Sequence, residues 1–234
     1  MTNLIILHGW QSSKEKWGKV KDLLEKEGMR VIIPDLPGFK KETELSKAWN
    51  LDDYVEWFNI FSKEYPPFFL LGHSFGGRMA IKFSEKYPNT ISGLILVSAG
   101  GAEQRKNFKK SVLFFLASIF KHLSFLPGYS FLRKLFYKFI VRKTDYLAVK
   151  GFLKETFKNV IKEDLKPLLG KIKTETLIVW GDKDNYLSVQ NGFLMKEKIS
   201  NSELKIFQKM GHNLHTEIPE KLTEIIIKFI KKHS

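Results

Sequence analysis

The sequence predicts an α/β fold: an open, mostly parallel sheet of about six strands with helices on both faces and a helical lid. Two observations support this prediction. Short apolar runs alternate with longer amphipathic stretches along most of the chain, and these have the lengths of buried strands and of helices. One long central segment lacks any strand pattern and interrupts the alternation. Strand–helix alternation is typical of parallel sheets with right-handed crossovers.

The predicted elements follow one another along the chain. Apolar runs predict strands at residues 3–7, 29–33, 68–71, 93–97, 176–180 and 204–207. Amphipathic patterns predict helices at residues 17–27, 52–65, 76–86, 192–199 and 219–232. The last helix begins with Pro219, and proline suits the first helical position because the amide it lacks would have no partner there.

Residues 101–170 form the segment that interrupts this alternation. They are rich in Phe and Lys, and they are too many for an ordinary connection between two strands. We predict that they form a helical lid and that residues 1–100 and 171–234 form the core. The segment holds 15 Lys+Arg and 5 Asp+Glu, which is +10 of the net +14. This charge permits weak contact of the basic lid with an anionic membrane surface, whereas no recognition motif accompanies it that would indicate a nucleic-acid partner.

Composition excludes several kinds of site. The chain has no cysteine, so disulfides, zinc–thiolate sites, iron–sulfur clusters and a cysteine nucleophile are all ruled out. The longest apolar stretch, residues 112–120, has nine residues, whereas a membrane-spanning helix needs about 20. The apolar run at residues 4–7 is too short for a signal-peptide core. We therefore expect a cytoplasmic protein.

A glycine-flanked serine marks the candidate nucleophile. Gly72 and Gly76 lie two residues before and two after Ser74, between a predicted strand and a predicted helix. This is the G-x-S-x-G turn in its expected context, where a tight turn lifts a serine hydroxyl above the sheet edge. A phosphate-binding loop is the alternative, but no lysine follows in the required position.

A serine nucleophile needs a base, and the base needs a carboxylate to orient it. Asp182 and Asp184 follow the fifth predicted strand, and His212 follows the sixth. The order Ser, Asp, His is the one expected for this type of turn. The residues alone leave the choice between the two aspartates open. His215 is interpreted as a packing residue, and a metal site on His212 and His215 is disfavoured because no third ligand is evident.

The end of the first predicted strand is the candidate oxyanion site. His8, Gly9 and Trp10 follow it, and a glycine there lets the backbone approach a reacting carbonyl. The backbone amide of Trp10, with that of Phe75 after the nucleophile, is predicted to donate to the developing oxyanion. Neither a cofactor nor a metal is expected in this chemistry.

These motifs resemble the α/β-hydrolase superfamily, in its lid-bearing branch of carboxylesterases, lactonases and carbon–carbon bond hydrolases. The motifs that carry the resemblance are His8-Gly9-Trp10, Pro34-Asp35-Leu36-Pro37-Gly38, the Ser74 turn, Gly181-x-x-Asp184 and Gly211-His212. The resemblance implies that Asp184 is the acid, that Trp10 and Phe75 supply the oxyanion amides, and that residues 101–170 are the lid. The first strand begins at residue 3, so the family's sheet is expected to be shortened at its N-terminus.

The resemblance implies a serine hydrolase that cleaves carboxylic esters through an acyl-enzyme. Because pockets are mostly apolar and the lid is rich in Phe, we expect a small-molecule ester or lactone with an apolar, short-to-medium acyl group. A lactonase and a carbon–carbon bond hydrolase remain alternatives with the same catalytic residues, and so does a receptor without turnover. The basic lid argues against an aminopeptidase, which needs acidic groups to hold the substrate's amine.

Overall fold

A six-stranded parallel sheet organises the part of the chain that the computed structural model describes, residues 1–40, 43–102 and 151–234. The strands are β1 (Asn3–Leu7), β2 (Arg30–Ile32), β3 (Phe68–His73), β4 (Ile91–Val97), β5 (Thr176–Gly181) and β6 (Ser202–Phe207). Their spatial order is β2-β1-β3-β4-β5-β6, and every neighbouring pair is parallel. The structure therefore confirms the predicted open sheet of about six strands.

Helices cover both faces of this sheet. A 3-10 helix, Lys14–Trp17, precedes α1 (Gly18–Lys26), α2 (Leu51–Ser62), α3 (Phe75–Lys86), α4 (Phe152–Lys162), α5 (Lys166–Leu169), α6 (Gln190–Lys198), α7 (Leu214–Glu217) and α8 (Pro219–His233). Successive side chains of a strand point to opposite faces. Ile5 and Leu7 accordingly join one buried cluster with residues of α2, α3, α4 and α6. Leu4 and Ile6 join the other, with residues of α1 and α8.

The parallel register brings the carboxyl ends of the central strands to one edge. Leu7 of β1 pairs with Gly72 of β3, and His73 pairs with Val97 of β4. Gly181 of β5 pairs with Phe207 of β6. The loops that follow β1, β3, β5 and β6 therefore start at the same edge, which is where open α/β sheets form their sites.

One boundary differs from the sequence prediction in a way that matters for the site. The apolar run ends at Leu71, whereas β3 continues through Gly72 to His73, and α3 starts at Phe75. Hydrogen-bond pairing with β1 and β4 extends the strand beyond its apolar residues, because pairing is a backbone property. Ser74 is thus the only residue between the strand and the helix.

The described part of the predicted lid consists of α4 and α5, which pack on the sheet and its helices. Val160 is buried, and Thr156 Oγ1 accepts a hydrogen bond from the Trp49 amide at 2.9 Å. Glu163, just after α4, pairs with Lys82 of α3 at 2.6 Å. Residues 103–150 lie outside the described residues. The lid boundaries at 101 and 170 and the membrane contact of its basic surface therefore stay predictions.

Candidate active site

Ser74 occupies a strained turn between β3 and α3. Its φ of 53° and ψ of −110° lie in a region that residues with a side chain rarely adopt. The backbone around it is held on both sides: the Ser74 amide donates to the carbonyl of Val97 at 3.3 Å, and the Ser74 carbonyl accepts from Gly100 at 2.9 Å. Strain of this kind persists only where the surrounding structure enforces it. The backbone conformation thus fixes the direction in which the Ser74 side chain projects from the turn.

The two glycines of the turn are required by close backbone contacts. A Cβ on Gly76 would lie 2.1 Å from the carbonyl oxygen of Leu7, and one on Gly72 would lie 2.5 Å from the carbonyl oxygen of Gly76. Both distances are far below van der Waals contact. The turn is therefore pressed directly against the end of β1.

The loop after β1 lies beside the nucleophile turn. The Gly76 amide donates to the His8 carbonyl at 3.1 Å, and a Cβ on Gly9 would lie 3.4 Å from Cβ of Ser74. Within residues 1–40, 43–102 and 151–234, the amides of Trp10 and Phe75 donate no hydrogen bond to a protein acceptor. The structure thus leaves the two amides predicted for the oxyanion site available next to Ser74.

Asp184, rather than Asp182, contacts His212. Oδ2 of Asp184 lies 2.7 Å from Nδ1 of His212, and the aspartate side chain is fully buried. Its other oxygen, Oδ1, accepts the backbone amides of Tyr186 at 2.8 Å and Leu187 at 2.9 Å. Asp182 lies in the same turn, with Oδ2 3.8 Å from Nζ of Lys183. The two amides fix the Asp184 carboxylate in the orientation that receives an imidazole N–H.

The loop that carries His212 is held by contacts that the sequence did not reveal. The Glu217 carboxylate accepts the amides of Gly211 at 2.6 Å and Asn213 at 3.1 Å, on either side of the histidine. A Cβ on Gly181, at the end of β5, would lie 2.3 Å from the carbonyl oxygen of Gly211. No local pattern distinguishes Glu217, the last residue of α7, from any other glutamate in a helical segment.

Three further histidines surround the site, and burial favours the uncharged form of each. Burial lowers the pKa of His8, lowers that of His73 well below its usual range, and lowers that of His215 to about 4. His215 stacks on Trp17 with ring centroids 4.4 Å apart, as its interpretation as a packing residue requires. His73 Nε2 lies 3.1 Å from the carbonyl oxygen of His212. His73, which precedes Ser74, therefore contacts the backbone of His212, whose side chain pairs with Asp184.

Aromatic side chains enclose the loop after β1. The Trp10 ring lies 4.9 Å from Phe39, 5.2 Å from Phe75 and 4.9 Å from Phe157, measured between centroids. Phe75 in turn contacts Tyr54 at 5.0 Å. The candidate oxyanion amides therefore lie in a largely apolar environment, where hydrogen bonds to a developing charge are strong.

In residues 1–40, 43–102 and 151–234, no three His, Asp or Glu side chains come together as metal ligands would. None of the helices described combines the length and the apolar character that crossing a membrane requires.

Comparison with known proteins bears out the resemblance to α/β-hydrolases. The family model described as "Serine aminopeptidase, S33" matches residues 2–219. Monoacylglycerol lipase ABHD6 of Homo sapiens is 25% identical over 256 residues, covering 97% of this chain and 75% of that protein. The 2-hydroxy-6-oxo-6-phenylhexa-2,4-dienoate hydrolase of Comamonas testosteroni is 25% identical over 261 residues, covering 98% and 87%. The solved structure of an esterase (EaEST) from Exiguobacterium antarcticum has a TM-score of 0.75 at 23% identity, covering 99% and 92%.

The close approach of β5 to the His212 loop predicts that Gly181→Ala is strongly destabilising. Its Cβ would meet the Gly211 carbonyl at 2.3 Å, and overpacking against backbone costs at least about 2 kcal/mol. For a domain of this size the melting temperature should fall by about 4–8 °C. Gly18→Ala is the matched control, because nothing lies within 4 Å of its Cβ. Equal melting temperatures for the two variants would contradict the packing described.

Proposed function

We propose that this chain, which belongs to the serine aminopeptidase S33 family of α/β-hydrolases, cleaves carboxylic esters with apolar, short-to-medium acyl groups through an acyl-enzyme. One observation carries the proposal: the His212 imidazole pairs with a buried carboxylate at 2.7 Å, and the backbone of His212 lies 3.1 Å from His73, the residue next to a serine on a strained turn. A base oriented by a carboxylate beside a nucleophile is the arrangement that acyl transfer requires.

In the proposed first half-reaction, Ser74 attacks the carbonyl carbon of the ester. The Nδ1–H of His212 donates to Asp184, so Nε2 is left as the acceptor for the serine proton. The carbonyl oxygen becomes an oxyanion and is held by the amides of Trp10 and Phe75. The imidazolium then transfers its proton to the leaving alcohol, and the acyl group remains on the serine oxygen.

In the second half-reaction, water replaces the alcohol. His212 accepts a proton from water, the resulting hydroxyl attacks the acyl carbon, and the imidazolium returns the proton to the Ser74 oxygen. The uncharged state of His73 and His215 supports these reaction steps. Because burial lowers the pKa of both, neither adds a positive charge that would oppose formation of the imidazolium.

The aromatic cluster of Trp10, Phe39, Phe75 and Phe157 supports an apolar acyl group. It lies against the proposed oxyanion amides, where the acyl part of a bound ester must begin. Charged acyl groups would lose hydration there without gaining a partner.

Carbon–carbon bond hydrolysis is the alternative that a specific finding favours. The relative from Comamonas testosteroni is named for a 6-oxo-dienoate substrate, a compound without an ester bond. The same serine, histidine and aspartate could carry out that cleavage, so the alternatives differ in substrate and not in catalytic residues. Aminopeptidase activity is a further alternative, because the matching family is described as a serine aminopeptidase. However, two carboxylates of the site are already engaged, Asp184 with His212 and Glu217 with the loop amides.

The first prediction from this mechanism concerns the nucleophile. Ser74→Ala should lower kcat for p-nitrophenyl butyrate by at least about 1,000-fold, because no acyl-enzyme can form. The melting temperature should stay within about 2 °C, since only one hydroxyl is removed. A fluorophosphonate probe should label the wild type and not the variant. Retention of full activity would exclude Ser74 as nucleophile, and labelling without turnover of any substrate would indicate a receptor.

The second prediction distinguishes the two aspartates. Asp184→Asn should lower kcat by about 10³–10⁴-fold, because an amide no longer orients the imidazole or stabilises its charged form. Asp182→Asn, a matched change two residues away, should keep kcat within about threefold of wild type. Steady-state kinetics on one ester measure both. The reverse ranking would reassign the acid.

The third prediction concerns the acyl group. Across p-nitrophenyl esters from acetate to palmitate, kcat/KM should be highest for short-to-medium chains, because burial of each added methylene stabilises binding by about 0.8 kcal/mol until the pocket is filled. Succinate half-esters should be poor substrates. Parallel assays with lactones, 6-oxo-dienoates and aminoacyl p-nitroanilides test the other classes. A higher kcat/KM for any of them than for every ester would replace the proposed substrate class.

A further inference from the structure

His73 links the nucleophile turn to the loop of the proposed base. It is the last residue of β3, its covalent neighbour is Ser74, and it is buried. Its Nε2 lies 3.1 Å from the backbone carbonyl oxygen of His212. We propose that His73 is a positioning residue that holds the backbone of His212 against the nucleophile turn. This inference rests on the proposed function of Ser74 and His212.

The chemistry of the contact fixes the protonation state of His73. A carbonyl oxygen only accepts, so Nε2 must carry the proton. Burial holds the pKa of His73 well below its usual range, so the ring is neutral and has only one proton to place. Nδ1 has no hydrogen-bond partner among the described residues, and a Cβ on Gly9 would lie 3.1 Å from it. The Nε2–H tautomer satisfies the contact without leaving an N–H donor buried and unpaired.

Packing on several sides keeps the His73 ring from turning. Its centroid lies 5.8 Å from Trp17, 4.8 Å from His215 and 4.9 Å from the ring of His212. Trp17 and His215 are themselves stacked, with planes only 5° apart. The donor is therefore presented from a rigid aromatic support that belongs to the body of the protein.

The contact completes the restraint on His212. Asp184 restrains the imidazole at Nδ1, and Glu217 restrains the amides of the two neighbouring residues. In the described part of the chain, the His212 carbonyl accepts a hydrogen bond from His73 alone. The direction in which Nε2 of His212 points depends on both the ring and the backbone. A misplacement of about 1 Å in such a constellation can cost about 100-fold in rate.

A matched pair of amide variants separates donation from mere packing. Gln at position 73 can place its amide nitrogen near the position of the imidazole Nε2, whereas Asn is one methylene shorter and reaches only as far as Nδ1. His73→Asn should lower kcat by about 10–100-fold with KM within about twofold, because orientation and not substrate binding is lost. His73→Gln should recover kcat to within about threefold of wild type. Rates are referred to active sites counted with a fluorophosphonate probe, so that unfolded protein does not enter them.

His215→Asn is the control for loss of a buried imidazole in the same cluster. His215→Asn removes one of the rings that pack on His73 but leaves the Nε2–H donor of His73 in place, so it should lower kcat several-fold less than His73→Asn does. Equal kcat values for His73→Asn and His73→Gln, or a loss in His215→Asn as large as in His73→Asn, would overturn the positioning role. So would an unchanged kcat per active site in His73→Asn.

A second measurement tests the contact without activity and without a folded variant. Nitrogen-15 NMR of the wild-type chain should show His73 as a neutral ring protonated at Nε2, with slow exchange of that proton. A ring protonated at Nδ1, or one that titrates between pH 5 and 8, would overturn the proposal. If the wild type hydrolyses no substrate in the panel, the proposed function fails, while the NMR result still decides whether His73 holds the loop.

Discussion

The parallel register of the sheet is the constraint on which the rest of the site depends. The central strands all end at the same edge of the sheet. The pairing of Leu7 with Gly72 and of Gly181 with Phe207 sets where along that edge the following loops begin. The loops after β1, β3, β5 and β6 therefore converge at one edge of the sheet. Glycines then allow backbones to touch: Gly76 meets the end of β1, and Gly181 meets the loop of His212.

Sequence reasoning recovered what depends on local pattern and chain order. The strands, the turn at Ser74 and the succession of Ser, Asp and His can all be read from apolar runs and from residues that follow them. The sequence could not decide between Asp182 and Asp184 by pattern, since both lie in one turn. That distinction depends on which carboxylate receives the amides of Tyr186 and Leu187, and this is a property of the folded turn.

Contacts between residues on different elements of the fold could not be predicted from the sequence. The sequence predicts no role in the site for His73 or for Glu217. Each contacts the loop of His212 from a different element, His73 from the end of β3 and Glu217 from α7. A spacing of 139 residues between His73 and His212 carries no pattern that a reading along the chain could detect.

The core and the substrate are specified by different parts of the molecule. The catalytic groups proposed here lie on backbone that strand pairing and glycine contacts hold in place. Proteins named for different activities align with nearly the whole length of this chain. Fold and catalytic geometry therefore do not select the substrate. In the proposed function, selection falls to side chains such as Phe39 and Phe157, which contact Trp10 from outside the strands. Because these residues stand on a loop and a helix rather than on the sheet, the proposed acyl pocket can change while the positions of Ser74, Asp184 and His212 stay the same.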